Sequence, residues 1–171
     1  MRTSRVTNFL SSDYTNKKMA IVSLTDEGGE HRWGKTIYDF ANKKQYVISE
    51  DKCTVYPVTF KMTSPCIPAS ATYLGSSYLG GSSRISFDSW SYMLPEYMSN
   101  ITISVSQDDC TPLVEEVKSQ KGNFQSIMIG AFASFTLGIK DPNVFVPPPS
   151  CKEDNFKLAG VSVGHSAHSF Q

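Results

Sequence analysis

Apolar and polar residues alternate at every second position along much of this chain, and turn residues interrupt the alternation roughly every ten positions. Successive strand side chains point to opposite faces, so such a run buries one face of a sheet and wets the other. The clearest case is Asn100–Ser106, where Ile101, Ile103 and Val105 point one way and Thr102, Ser104 and Ser106 the other. Antiparallel strands tolerate one solvated face, whereas parallel strands are normally covered on both. A mostly β, antiparallel chain is therefore expected.

Two hairpins stand out. Residues 36–40 and 45–48 read as strands joined by a short polar turn, and residues 73–79 and 84–90 as strands around Gly80-Gly81-Ser82-Ser83. The glycines supply the positive φ that tight hairpin turns demand. Residues 19–24, 53–60 and 113–118 add three strands, and Pro57 pushes the second of them to a sheet edge, because proline cannot donate to a ladder. Residues 122–139 fit both strand and helix spacing, and a strand is favoured because β-proteins rarely insert a lone helix into a sheet. From Asp141 onward Pro142, Pro147, Pro148 and Pro149 forbid regular pairing and predict an extended excursion ending at Cys151. No repeat runs at a fixed period. These strands leave two architectures, a sandwich or a strongly bent sheet around a cavity, and composition does not choose between them.

With 171 residues, 40% of them hydrophobic, the chain has the length and apolar content of one domain, expected to span 1–171 with a mobile tail at 160–171. Its formal charge is zero, +3 over residues 1–61 and −3 over the remainder. Neither part carries the basic stripe that binds a phosphate backbone, which excludes nucleic acid as the main partner. The longest apolar stretch, Ile127–Leu137, is too short and too interrupted to be a transmembrane segment. Arg2 and Arg5 are not followed by an apolar run, so no signal peptide is read in this chain.

No catalytic constellation emerges. Gly164-His165-Ser166-Ala167-His168 approaches a nucleophile elbow but lacks the final glycine and a following helix. His31, His165 and His168 find no carboxylate or thiol at ligand spacing, and Asp26-Glu27, Asp108-Asp109 and Glu115-Glu116 do not follow the spacing of a calcium loop. An enzyme is not expected. Asn100-Ile101-Thr102 forms an N-glycosylation sequon at the start of an amphipathic strand. Cys53, Cys66, Cys110 and Cys151 fit no zinc or thioredoxin spacing, and four cysteines allow three pairings that spacing cannot separate. The surplus of aromatics fills a core or, in a curved sheet, lines a cavity. Ile85, Phe87, Ile101, Ile103 and Val105, apolar strand residues with polar neighbours, are the candidate ligand-binding set.

The segment Leu137-Gly138-Ile139-Lys140-Asp141-Pro142-Asn143-Val144-Phe145-Val146-Pro147-Pro148-Pro149-Ser150-Cys151 resembles the signature of the ependymin-related proteins, most of all in its contiguous Gly-Ile-Lys-Asp-Pro and its closing prolines and cysteine. Tyr38-Asp39-Phe40 with Lys43-Lys44 and Tyr46, then Cys53, then Asp109-Cys110 with Pro112, match in the same order, so the resemblance spans 114 of 171 residues. It implies an invertebrate member of a secreted or lysosomal, disulfide-bonded and often glycosylated family. The implied fold is a strongly curved antiparallel half-barrel with an apolar pocket, similar to bacterial lipoprotein carriers, with few short helices. The resemblance pairs Cys53 with Cys151. Cys110 matches too, but its usual partner near the N-terminus is missing, which implies absent N-terminal sequence with the signal peptide and leaves Cys66 as the intramolecular candidate. The implied function is non-enzymatic binding of a lipid-like small molecule by a protein that tends to form homodimers. No cofactor is required, and Ca²⁺ is the ion the family brings with it. The alternative is an extracellular-matrix or cell-adhesion glycoprotein acting through its surface and calcium.

Overall fold

A six-residue segment occurs twice near the start of the chain, as Asp13-Tyr14-Thr15-Asn16-Lys17-Lys18 and Asp39-Phe40-Ala41-Asn42-Lys43-Lys44, and both copies make the same turn. The aspartate carboxylate accepts from the asparagine backbone N–H at 2.9 Å in each copy, and from its Nδ2 at 2.7 Å for Asp13 and 2.8 Å for Asp39. The following lysine takes positive φ, 56° at Lys17 and 53° at Lys43, where a glycine would be usual. The computed structural model that shows this describes residues 4–50, 52–62, 67–95, 98–121 and 124–152.

The described residues include ten strands: β1 (Ser4–Asp13), β2 (Lys18–Glu27), β3 (Glu30–Asp39), β4 (Lys44–Ser49), β5 (Lys52–Pro57), β6 (Thr72–Leu79), β7 (Ile85–Leu94), β8 (Ser99–Ser106), β9 (Pro112–Lys121) and β10 (Phe124–Ala131). They form two five-stranded antiparallel meanders, β1-β2-β3-β4-β5 and β10-β9-β8-β7-β6. The described residues divide accordingly into two compact units, one from those up to residue 62 with 138–152, the other from those within 67–137. Mostly β and antiparallel therefore holds, whereas a single strongly curved half-barrel sheet does not: neither sheet closes on itself. The ladder stops at β5, whose last residue is Pro57 and after which the sequence carries Pro65 and Pro68, residues that supply no backbone N–H. As expected of a strand holding Pro57, β5 is an edge strand.

In the first unit both sheet faces are apolar at one end. On one face Ala20, Ile37 and Tyr46 stand in register, joined by Ile48 and Cys53. The excursion covers them. Asp141 Oδ1 accepts from the Asn143 N–H at 3.0 Å and caps a single 3-10 turn, Pro142–Phe145, with proline at its start where a missing N–H costs nothing. That turn sets Phe145 into the cluster, with Val144, Ile139 and Cys151 beside it. The proline-rich segment is thus a plug with its own cap. On the opposite face Met19, Ile21 and Tyr38 are covered by Val58 and Phe60, and Tyr38, Phe40 and Phe60 contact one another at centroid distances of 5.6–5.8 Å.

The second sheet is one-sided. Tyr92, Ile101, Ile103 and Val105 are buried on its core face, with Trp90, Leu94 and Val117 beside them and Ile67 and Ala71 packed over them. The other face carries hydroxyls: Ser89 and Ser104 share a hydrogen bond at 2.8 Å, and Ser91 Oγ donates to Asn100 Oδ1 at 3.2 Å. Among the described residues of 122–139 the strand is Phe124–Ala131, whose pairing runs out at Ala131 opposite Val114, close to the start of β9 at Pro112. The tail at 160–171 lies outside the described residues.

Candidate functional site

Register divides the five candidate ligand-binding residues. Val105 stands opposite Asp88 and Ile103 opposite Trp90, so Ile101, Ile103 and Val105 share the core face, where they are 1%, 0% and 5% exposed. Phe87 stands opposite Ser106 and Ile85 lies two residues before it, which places both on the hydroxyl face, with Ile85 exposed. The structure brings the first three together as packed core and leaves the other two on the far side.

Glu115 sits within that core row, directly opposite Ile103 on β8 and Gly130 on β10, and is buried. Removal from water disfavours the carboxylate and pushes its pKa up to about 7. Tyr92, buried nearby, has its phenol pKa raised by desolvation and then by the Glu115 charge. At the sheet margin Asp88 Oδ1 accepts from Ser76 Oγ at 2.5 Å and Gln107 Nε2 at 2.7 Å, contacts that hold its pKa below the usual carboxylate range. These groups ligate one another and pin β6 to the loop after β8.

Cys53 and Cys151 are bridged, with Cα atoms 4.9 Å apart, which ties the end of the excursion to β5. Cys110 is an exposed free thiol. Cys66 lies outside the described residues, so the Cys66–Cys110 bridge is not among the bonds described. His165 and His168 also lie outside them. No cluster of three metal-ligating side chains occurs among the described residues, and no described helix is long and apolar enough to cross a membrane. Asn100 is exposed on the hydroxyl face.

Exposed apolar side chains also stand in register on the first sheet. On the excursion-bearing face of the first sheet, beyond the plug, Phe9 stands opposite Val22, and Leu24 opposite Trp33. Phe9 is 58%, Leu24 45% and Trp33 47% exposed. Lys35, opposite Val22 and two residues from Trp33, shares this face. On the second sheet, Met93, Pro95, Met98 and Gln120 line an open depression of about 520 Å³. The signal for the first strip was the repeated turn segment: its second copy joins two strands, so its first must be preceded by one.

Comparison with known proteins bears on the region from β3 to Cys151. The family model for ependymin matches residues 30–151. Ependymin-related protein 1 of Haliotis asinina is 32% identical over 127 residues, which cover 68% of this chain and 64% of that relative. The chain therefore spans less than two thirds of the relative's length. The matched region includes the capped plug and both bridged cysteines.

Proposed function

Since this chain belongs to the ependymin family, we propose that it is a secreted, non-enzymatic protein that holds a lipid-like ligand against an apolar sheet surface. The carrying observation is the strip of Phe9, Val22, Leu24 and Trp33, large apolar side chains in register on a face whose other end is closed by the chain itself. A patch of that kind on a β-surface is a binding surface more often than an idle one. Micromolar affinity needs about 8 kcal/mol, equivalent to roughly 330 Å² of buried apolar area before the cost of immobilising the ligand. An acyl chain laid along the strip supplies area on that scale, and the Lys35 ammonium beside it suits a terminal carboxylate. The Cys53–Cys151 bridge supports an oxidising, extracellular setting.

The test is uptake of a fluorescent fatty acid by delipidated protein. Saturable binding that quenches Trp33 but not Trp90, and that Leu24→Asp abolishes, is the expected result. Protein that takes up no fatty acid yet self-associates with calcium refutes the carrier reading and favours the matrix or adhesion glycoprotein.

A further inference from the structure

We propose that the β6 margin of the second sheet binds a short chain of gluco-configured sugar rings, stacked on Tyr73 and Tyr78 and hydrogen-bonded to Asp88 between them. The proposal does not depend on the lipid strip, which belongs to the other unit.

A bulge builds the platform. Tyr73 and Tyr78 are five residues apart, a spacing that puts two side chains of a regular strand on opposite faces. The register of β6 against β7 shifts between Tyr73 and Gly75, so Tyr73 stands opposite Trp90, Ser76 opposite Asp88 and Tyr78 opposite Ser86. Trp90 and Asp88 in turn stand opposite Ile103 and Val105, on the core face. The extra residue, Leu74, thus brings both tyrosines to that face, and Gly75 supplies the bulge with a φ of 131°. β6 is the last strand of its sheet, and here Tyr73 is 49% and Tyr78 57% exposed. Trp90 backs Tyr73, with ring centroids 5.0 Å apart.

The polar groups between the two rings are fixed yet keep acceptors to spare. Asp88 Oδ1 accepts from Ser76 Oγ at 2.5 Å, from Gln107 Nε2 at 2.7 Å and from Tyr73 Oη at 3.5 Å. The Gln107 backbone N–H donates to the Ser86 carbonyl at 3.0 Å, which anchors that residue to β7. Because these bonds converge on Oδ1 and use the amide nitrogen, Asp88 Oδ2 and Gln107 Oε1 are left to accept from a ligand. Arg84 lies over the Tyr78 ring, its Cζ 5.0 Å from the centroid, and adds donors to the same margin.

This combination selects a ligand chemistry. An exposed tyrosine ring offers a rigid apolar face with a polar rim. A gluco-configured pyranose carries its substituents equatorially, so it presents C–H bonds on both ring faces and hydroxyls around its edge. The faces suit the tyrosines, while the edge hydroxyls donate to Asp88 and Gln107 and accept from Arg84. Trp90 and Ser86, the partners of the two tyrosines, are four residues apart on β7, roughly 13 Å at 3.3 Å per residue. One sugar ring reaches one tyrosine; a short chain reaches both.

The experiment titrates the full chain calorimetrically with cellohexaose and chitohexaose, beside glucose and N-acetylglucosamine, and follows Trp90 emission in the Trp33→Phe protein. A hexamer is expected to bind about tenfold more tightly than its monomer and to change Trp90 emission. Preference for chitohexaose or for cellohexaose supports the proposal equally and tells whether an acetamido group is read. Tyr78→Ala should weaken binding about tenfold, and Tyr78→Phe, which keeps the ring, should not. Asp88→Asn should weaken it by about tenfold as well. Since Tyr78 is exposed, Tyr78→Ala should leave the Trp90 melting transition in place, which separates a lost contact from a lost fold. Leu24→Asp, in the lipid strip, should leave the saccharide isotherm unchanged. No binding of either hexamer, equal affinity for hexamer and monomer, or binding that survives Tyr78→Ala overturns the proposal and leaves fatty-acid uptake to stand or fall by itself. Saccharide binding lost in Leu24→Asp overturns it too, because the two ligands then share one surface.

Discussion

The two sheets have the same strand count and the same meander order, yet they are held by different means. The first is covered on both faces at one end by the chain's own segments, left open beyond the plug on one of them, and stapled by a disulfide. The second has one apolar face, one hydroxyl face and a buried acid in its core row. All of the second unit's strands lie between Cys53 and Cys151 in sequence, so the bond closes a loop that contains that unit while joining two parts of the other. The contrast teaches that a small sheet can rely on a covalent constraint and a plug, or on one-sided packing alone, and that the two respond to different perturbations.

The largest expected effect tests the staple. On the chain-entropy model, a bond closing a sequence separation of 98 residues stabilises by roughly 4 to 5 kcal/mol. Each unit contains one tryptophan, Trp33 in β3 and Trp90 in β7, so Trp33→Phe and Trp90→Phe turn intrinsic fluorescence into a separate reporter for each. Paired Cys53→Ser and Cys151→Ser should move the Trp33 transition down steeply and the Trp90 transition much less. Equal losses at both reporters break the comparison, because they make the bridge a constraint on the second unit as well.

A smaller effect, of opposite locality, comes from pH. Glu115 titrates near 7 in the folded state against 4.5 for an unperturbed glutamate. A folded pKa above the unfolded one means that the native state binds more protons between these values. Stability of the second unit is then greatest below about pH 4.5 as regards this group and falls as pH rises through 7, by about 3 kcal/mol in all. Tyr92, which faces Glu115, stays neutral throughout that range, since its pKa is raised. The Trp90 transition should lose stability from pH 5 to pH 8, and Glu115→Gln should flatten that slope. A Trp33 transition with the same slope shows that the acid acts on both units.

Much of this contrast was legible in the chain, and the remainder fails for identifiable reasons. The hairpins at β3–β4 and β6–β7 and the strand at β8 follow from alternation and turn residues because both signals are local. Alternation within one strand does not say which face of the next strand it joins. Ile85 and Phe87 therefore read as companions of Ile101, Ile103 and Val105 until register separated them. The Asp–Asn–Lys turn hides β1 because positive φ at a lysine carries no glycine to mark it; only its second copy, inside a clear hairpin, discloses the first. The division into two sheets turns on what prolines withhold from a ladder, an effect of the partner strand that no window of sequence contains. The Cys53–Cys151 pair came from resemblance, since spacing allowed three solutions.

The smallest effect sharpens the comparison at one hairpin of each sheet. Gly28 and Gly29 form the two-residue turn between β2 and β3 with φ of 62° and 87°, the pattern of a type I′ turn. An added Cβ at Gly28 meets nothing within 4 Å, so Gly28→Ala costs only the left-handed backbone, about 1 kcal/mol. Gly28→Asn should cost less still, because asparagine tolerates that conformation. Gly80, at the start of the β6–β7 loop, has φ of 94° and would place a Cβ 2.5 Å from the Ser83 carbonyl oxygen. Backbone cannot yield as a flexible side chain does, so Gly80→Ala carries the same strain plus displacement of the loop. Expected in thermal melts is a larger drop for Gly80→Ala at Trp90 than for Gly28→Ala at Trp33, and rescue by asparagine at position 28 alone. Rescue at both positions shows that left-handed φ, and not the close approach to Ser83, is what each turn requires of its glycine.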